Sequence, residues 1–324
     1  MPANLQPPDP EQLAMAVRGA ERAALAAALN LLDDKRPASR SSAIALMTEL
    51  QTGQAAKNSR LIGITGPPGA GKSSLTAALI SVWRQRGLSI GVLAVDPSSP
   101  ISGGALLGDR LRMKTSSEDD AVFVRSLACR GQFGGLSAEV WPMSLVMLAA
   151  FDITLIETVG VGQREIDVAD MCDTTCYVAQ PGSGDSVQFL KAGILEVPHI
   201  LVVNKEDMGA VARRTLSELG AAMSREHSEG NWTVPVLSAS ATNGSGIETL
   251  ADVMEQHHKV LREQGLIKQR RQHYQGKWIL KRLRDEFGSN GLTRLGGTDS
   301  ILDQLQAHSS TLFEQYEALR QRLL

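Results

Sequence analysis

Eight residues constrain this chain more than any others. Leu61-Ile62-Gly63-Ile64-Thr65 is a strand-like apolar run. Directly after it come Gly66-Pro67-Pro68-Gly69-Ala70-Gly71-Lys72-Ser73 and a helical stretch over 74–84. The octapeptide fits G-x-x-x-x-G-K-[ST] in the strand, loop and helix order that a phosphate loop needs. Its glycines let the backbone wrap tightly and aim N–H groups at phosphate oxygens, and the helix N-terminus adds favourable partial charge. Lys72 reaches the outer phosphates, and the Ser73 hydroxyl is suited to Mg²⁺. Ser74 completes the cradle. A glycine-rich turn matching by accident is the plain alternative, and eight positions in the right context speak against it. The loop specifies a nucleoside triphosphate but not its base.

The base is read farther on. An apolar run over 200–203 leads into Asn204-Lys205-Glu206-Asp207, an NKxD element. The Asp207 carboxylate can accept both N–H donors of a guanine edge, N1–H and the 2-amino group. Adenine offers no such pair and would leave the carboxylate unsatisfied. Ser240-Ala241 suits the loop that supports the base, with Ser238-Ala239 as the alternative register. Between these motifs, the run 153–156 ends in Glu157-Thr158-Val159-Gly160, the place of a DxxG element with Glu for Asp. The Glu157 carboxylate is expected near Mg²⁺ and its waters, and the Gly160 N–H is expected to sense the γ-phosphate. Asp96, closing the run 90–95, and Asp109, after the glycine-bearing loop 97–108, are further candidates for the metal. Hard oxygen ligands suit Mg²⁺, and for each acid a solvated loop position is the even alternative. The cofactors expected are therefore GTP/GDP and Mg²⁺, with Lys72 and Glu157 acting in catalysis.

The rhythm around these motifs is that of a parallel sheet. Apolar runs at 61–65, 89–95, 121–125, 153–157, 174–179, 200–204 and 234–238 alternate with helical stretches. They predict an α/β P-loop NTPase with a mostly parallel sheet flanked by helices, its working edge at the strands' C-terminal ends. Residues 1–58 read as an N-terminal helical extension, Ala- and Leu-rich over 11–32. Within it, Ser39-Arg40-Ser41-Ser42 are placed to cap a second helix over 43–51. Residues 59–250 read as the nucleotide-binding domain and 251–324 as a C-terminal helical arm, with the Gly- and Asn-rich stretch 288–297 as a connecting turn.

Composition removes other classes. Lys plus Arg is 33 and Asp plus Glu is 35, a net charge of −2, which argues against nucleic-acid binding by bulk charge. The apolar run 145–151 is far short of the ~20 residues of a membrane span. The first eleven residues carry no basic or apolar block of a leader. Three cysteines make no disulfide framework. The expected setting is cytoplasmic, with no nucleic acid and no membrane.

Three blocks narrow the group. They are Val95-Asp96-Pro97-Ser98-Ser99 continuing through Gly103-Gly104-Ala105-Leu106-Leu107-Gly108-Asp109-Arg110; Glu157-Thr158-Val159-Gly160-Val161-Gly162-Gln163; and Gly182-Ser183-Gly184-Asp185. With the phosphate loop and NKxD they resemble the MeaB/MMAA (ArgK-like) G-protein chaperones over roughly residues 20–265. The resemblance implies a P-loop fold of the metal-site-assembly GTPase class, binding of GTP and Mg²⁺, and slow hydrolysis. It implies a role in gating adenosylcobalamin loading and in protecting or reactivating a cobalamin-dependent acyl-CoA mutase. It also implies a homodimer formed through the C-terminal helices. Its metal-site acids fall on Asp96, Asp109 and Glu157. A loop coupling nucleotide state to the mutase falls on 180–191, with Asp185, Gln188 and Lys191 at its polar positions.

The chain departs from that pattern in three places: Arg164 where a small Ser is usual, the segment 125–136, and Trp141-Pro142-Met143, which interrupts an expected helix. They leave open whether the client acts on methylmalonyl-, isobutyryl- or 2-hydroxyisobutyryl-CoA. A P-loop kinase and a non-hydrolysing nucleotide sensor are the rival readings. NKxD disfavours the first, and intact Lys72, Ser73 and Glu157 disfavour the second. Val161 follows Gly160, where many GTPases place a water-orienting Gln, so low intrinsic turnover is expected. Cys172 and Cys176 read as buried small apolar residues. His257-His258 lie in helical, polar surroundings, and Trp278 with Leu280 and Leu283 reads as a dimer seam or as core.

Overall fold

A computed structural model describes residues 9–34, 36–52, 58–96, 119–128, 139–158, 168, 171–182, 198–223, 228–229, 232–307 and 310–324. In chain order the helices are α1 (Pro10–Arg18), α2 (Arg22–Asp33), α3 (Pro37–Thr52), α4 (Lys72–Gln85), α5 (Val140–Ala150), α6 (Ala210–Met223), α7 (Ile247–Glu263), α8 (Leu266–Arg294), α9 (Gly297–Ala307) and α10 (Leu312–Gln321). The strands are β1 (Arg60–Thr65), β2 (Ile90–Asp96), β3 (Val122–Ala128), β4 (Ile153–Thr158), β5 (Thr174–Ala179), β6 (Ile200–Val203), β7 (Ser228–Glu229), β8 (Trp232–Thr233) and β9 (Val236–Ser238). The chain divides into two compact units. One comprises Arg60–Ser137 and Phe151–Ile267; the other comprises Met1–Ser59, Ala138–Ala150 and Lys268–Leu324.

The first unit is the sheet. Its order is β3-β2-β4-β1-β5-β6-β9, and every neighbouring pair is parallel. β4, β5 and β6 are buried along their whole length, which is why their sequences are near-continuous apolar runs rather than alternating ones. Alternate residues go to opposite faces. Ile200 and Val202 join Leu75, Leu79 and Trp83 of α4 and Met254 of α7 in one core, while Leu201 and Val203 pack with Leu219 and Met223 of α6 in another. Helices therefore cover both faces, as the alternating runs predict. The β1 run needs glycine at Gly63, because a Cβ there would lie 2.3 Å from Val168 Cγ1 and 2.9 Å from Cys172 Sγ. Cys172 and Cys176 are both buried and unbridged, and burial pushes their thiols well up.

Two expectations need correction in this unit. The last strand is shorter than 234–238 and is preceded by the small antiparallel pair β7–β8. His257 and His258 of α7 are buried rather than in polar surroundings. His257 Nδ1 shares a hydrogen bond with Thr174 Oγ1 at 2.8 Å, and its ring lies 4.5 Å from that of His199 and 4.7 Å from that of Trp232.

The second unit is helical. The stretch expected as one helix over 11–32 breaks at Gly19-Ala20, where Ala20 adopts φ 57°. The second helix opens at Pro37, whose missing N–H costs nothing in a first turn, so Ser39–Ser42 lie inside it rather than capping it. Asp34 takes over the local bonding, accepting from the Arg36 N–H at 3.0 Å and from Ser39 Oγ at 2.6 Å. For the same reason Trp141-Pro142-Met143 does not interrupt a helix. The three residues form the buried first turn of α5, where a proline is tolerated. Trp278, Leu280 and Leu283 of α8 are buried within this unit, Trp278 against Phe313 and Tyr316. The stretch expected as a turn over 288–297 is mostly helix: Gly288 (φ 68°) kinks it, helix resumes to Arg294, and Leu295-Gly296 separate α8 from α9. Among the described residues no helix is long and apolar enough to cross a membrane.

Candidate nucleotide site

Parallel pairing brings the C-terminal ends of β1, β4, β5 and β6 side by side, and the motifs follow these ends. Gly66 leaves β1 with φ 141°, and a Cβ there would sit 2.2 Å from Val178 O of the neighbouring strand. Only glycine lets the loop turn so close to the sheet. Pro67 and Ala70 are buried, and Pro68 and Gly69 are exposed at the apex. Gly71 (φ 85°) caps α4, which begins at Lys72, so the helix's free N–H groups and Ser73 and Ser74 of its first turn face the loop. The Lys72 ammonium is buried and donates to Gly66 O at 2.8 Å and Pro67 O at 2.9 Å. The loop's own carbonyls thus hold the lysine over the loop.

Glu157, the last residue but one of β4, is in register with Ile64 of β1 and Ala94 of β2, which sets it beside the loop. Ser73 Oγ donates to Glu157 Oε1 at 2.6 Å, and the carboxylate is only 6 % exposed. A hydroxyl and a carboxylate converging at a buried edge are the hard-oxygen donors that Mg²⁺ takes. Next to them, Thr158 Oγ1 donates to Thr65 Oγ1 at 3.2 Å. Asp96 closes β2, one residue past the position in register with Thr158. Asp109, Gly160, Asp185, Gln188 and Lys191 lie outside the described residues, as do Arg164 and 129–136.

The NKxD element follows β6 on the other side of the loop. Asn204 is buried, and its Nδ2 donates to Ala70 O at 2.9 Å and Gly71 O at 3.3 Å. Its Oδ1 accepts from the Ala241 N–H at 3.4 Å. Lys205 adopts the left-handed conformation (φ 60°), and its Cε lies 3.9 Å from where a Cβ on Gly71 would be. Asp207, in a 3-10 turn over Glu206–Met208, is exposed and accepts from Ser240 Oγ at 2.5 Å. The structure therefore brings Gly66–Ser74, Glu157, Asn204–Asp207 and Ser240-Ala241 to one sheet edge. Of the two registers open in the sequence, Ser240-Ala241 is the one bonded to the Asn204 and Asp207 side chains, whereas Ala239 meets the element only through its carbonyl, which accepts from the Glu206 N–H at 3.0 Å.

Two further residues lie beside these motifs, the first of them the opening residue of the loop expected over 180–191. Gln180, just past β5, places its side-chain Oε1 3.4 Å from the Cβ position of Gly69. Ser245 donates to Glu206 Oε2 at 2.7 Å. The resemblance included Gln180 only as the start of a loop and gave it no role at the phosphates, and nothing in the sequence pairs Ser245 with Glu206.

Known proteins place this geometry in context. Residues 25–293 match the family model described as "Methylmalonyl Co-A mutase-associated GTPase MeaB". The chain is 34 % identical over 276 residues to GTPase ArgK of Escherichia coli, covering 83 % of this chain and 82 % of that protein. It is 31 % identical over 295 residues to the methylmalonic aciduria type A homolog, mitochondrial, of Caenorhabditis elegans, covering 87 % and 74 %. The solved structure titled LAO/AO transport system kinase superposes with a TM-score of 0.71, covering 98 % of this chain and 99 % of that one at 24 % identity, a likeness of fold alone.

Proposed function

Because this chain belongs to the family of methylmalonyl-CoA mutase-associated GTPases, we propose that it is the GTP-driven chaperone of an adenosylcobalamin-dependent acyl-CoA mutase. It is a GTP hydrolase with a P-loop fold. Its proposed work is to gate cofactor loading and to protect or reactivate a mutase acting on methylmalonyl-, isobutyryl- or 2-hydroxyisobutyryl-CoA. We also propose that it works as a homodimer through its C-terminal helices, in the cytoplasm.

The observation that carries this reading is the 2.6 Å bond between Ser73 of the phosphate loop and Glu157 of β4. It ties the loop to β4, which Gly160 follows in the sequence, so a change at the phosphates reaches that strand. Mg²⁺ held by Ser73 and Glu157, with Asp96 and Asp109 as the further acids, would offset charge on the β- and γ-phosphates. Lys72 exchanges its bonds to the Gly66 and Pro67 carbonyls for the phosphate oxygens, so the cation is already in place when nucleotide arrives. Asn204 holds the loop at Ala70 and Gly71, and Asp207, oriented by Ser240, accepts from the guanine edge.

A P-loop site with neither a positioned water nor an arginine finger hydrolyses slowly. With Val161 where many GTPases place a water-orienting Gln, turnover is low until a partner acts on the segment after Glu157 and the loop carrying Asp185, Gln188 and Lys191. The difference in affinity of the mutase for the GTP- and GDP-bound forms then sets how far hydrolysis shifts the complex. The test is GTP turnover by the purified protein with and without each cobalamin-dependent mutase. Acceleration by one mutase, with ATP inactive, is the expected result and names the client. No acceleration by any mutase would leave the GTPase without its chaperone role.

A further inference from the structure

Lys205 stands out as a long side chain held at φ 60° and ψ 43°, and only Ala20 shares a positive φ among the described non-glycine residues. A left-handed backbone at such a residue persists only where neighbours over-determine it. On the N-terminal side the neighbour is Asn204, bonded to the phosphate loop. On the C-terminal side it is Glu206, bonded twice to the loop after β9. The Glu206 N–H donates to Ala239 O at 3.0 Å, and the Glu206 carboxylate accepts from Ser245 Oγ at 2.7 Å.

The loop from Ala239 to Gly246 is itself closed. The Ser240 N–H donates to Ser245 O at 2.9 Å, and the Ser245 N–H donates to Asn243 Oδ1 at 3.0 Å. Its far end is fixed at Gly246 (φ 72°), where a Cβ would meet Ser238 O at 2.2 Å. Ser240 is the hydroxyl that orients Asp207. The Glu206–Ser245 bond thus joins the two ends of one ring: Asp207 to Ser240, Ser240 to Ser245, Ser245 to Glu206, and Glu206 along the chain back to Asp207.

We infer that Glu206 and Ser245 are positioning residues for guanine recognition, a latch that holds the Asp207 carboxylate at the angle needed to take both N–H donors of the base. The inference rests on the reading of Asp207 as the base-recognising residue. Position 206 is the unspecified one in NKxD, so its side chain carries no part of the motif. Here it supplies the second tether of a strained turn.

The experiment compares the dissociation constants of GDP and IDP, which lacks the 2-amino group, for the wild type, Glu206→Ala, Ser245→Ala, the double variant, Glu206→Gln and Asp207→Ala. A misaligned Asp207 loses the two-donor contact, so GDP binding falls about two- to fivefold in each single alanine variant, while IDP binding falls less. The double variant loses no more than either single one, because both remove the same bond. Glu206→Gln, which keeps an acceptor for Ser245, retains the GDP preference. Equal loss for GDP and IDP means a loosened loop without a role in base reading, and unchanged GDP affinity means the bond does nothing; either overturns the inference. If instead Asp207→Ala keeps the full GDP preference, the base-reading assignment itself fails, an outcome separate from the other two.

Discussion

At the scale of single residues the phosphate site is held by groups that already satisfy one another. Lys72 is buried against two carbonyls, and Ser73 and Glu157 share a short hydrogen bond. Nucleotide binding therefore exchanges partners rather than burying a bare charge, which keeps the cost of desolvation low. Lys72→Ala removes the one cation that the loop itself delivers to the outer phosphates. GTP turnover at saturating substrate is expected to fall about 100-fold or more, the loss typical when a preorganised donor to developing charge is removed. Turnover assays beside a circular dichroism spectrum check it, and normal hydrolysis by a folded variant would remove Lys72 from the chemistry.

At the scale of elements, the same mechanism of mutual satisfaction locks the C-terminal helices. α10 begins with a capping box in which the Thr311 N–H donates to Glu314 at 2.9 Å. Farther along, Tyr316 donates to Glu286 of α8, and Arg320 Nε donates to the same carboxylate at 2.8 Å. Burial alone would raise the Glu286 carboxyl, but the bonds from Tyr316 and Arg320 outweigh it and hold it below its ordinary value. Burial and the Glu286 charge push the Tyr316 hydroxyl up to about 12.

The signs follow from linkage. A depressed carboxyl contributes stability that is present above its unfolded value and lost as pH falls through its folded one. A raised phenol contributes stability that is present below its unfolded value of 10.0 and lost as pH rises through about 12. Glu286→Gln is therefore expected to weaken the helical unit at neutral pH and to flatten both the acid limb below about 4.5 and the alkaline limb between about 10 and 12. Thermal melts of both proteins across pH check it, and parallel profiles would show that the pair carries no such linkage.

At the scale of the whole molecule, the site draws residues from four distant parts of the chain onto one sheet edge. Anything that binds this edge stabilises the folded form by mass action. GTP with Mg²⁺ at 100 times its dissociation constant is expected to raise unfolding free energy by about 2.7 kcal/mol. The gain should vanish in Lys72→Ala and should not be matched by ATP. Differential scanning calorimetry with each nucleotide measures it, and equal stabilisation by ATP would remove the guanine assignment drawn from Asp207.

What the amino-acid order determined by itself was local. A strand, a glycine loop and a helix in direct succession need no long-range information, because backbone geometry at Gly66, Gly69 and Gly71 and the start of α4 follow from neighbouring residues. The alternating apolar runs likewise contained the parallel sheet, since buried strands and covering helices have different periods. The errors were local as well: Ser39–Ser42 read as a cap and Pro142 as an interruption, whereas Pro37 and Pro142 both sit in first turns, where a proline is tolerated. Only the tertiary structure decided the rest. It set Ser240 rather than Ser238 against Asp207 and turned His257 inward onto His199. It closed the Glu206–Ser245 bond across 39 positions. Such contacts depend on which strands become neighbours, and in a parallel sheet that order is fixed by burial of whole faces rather than by any residue along the chain.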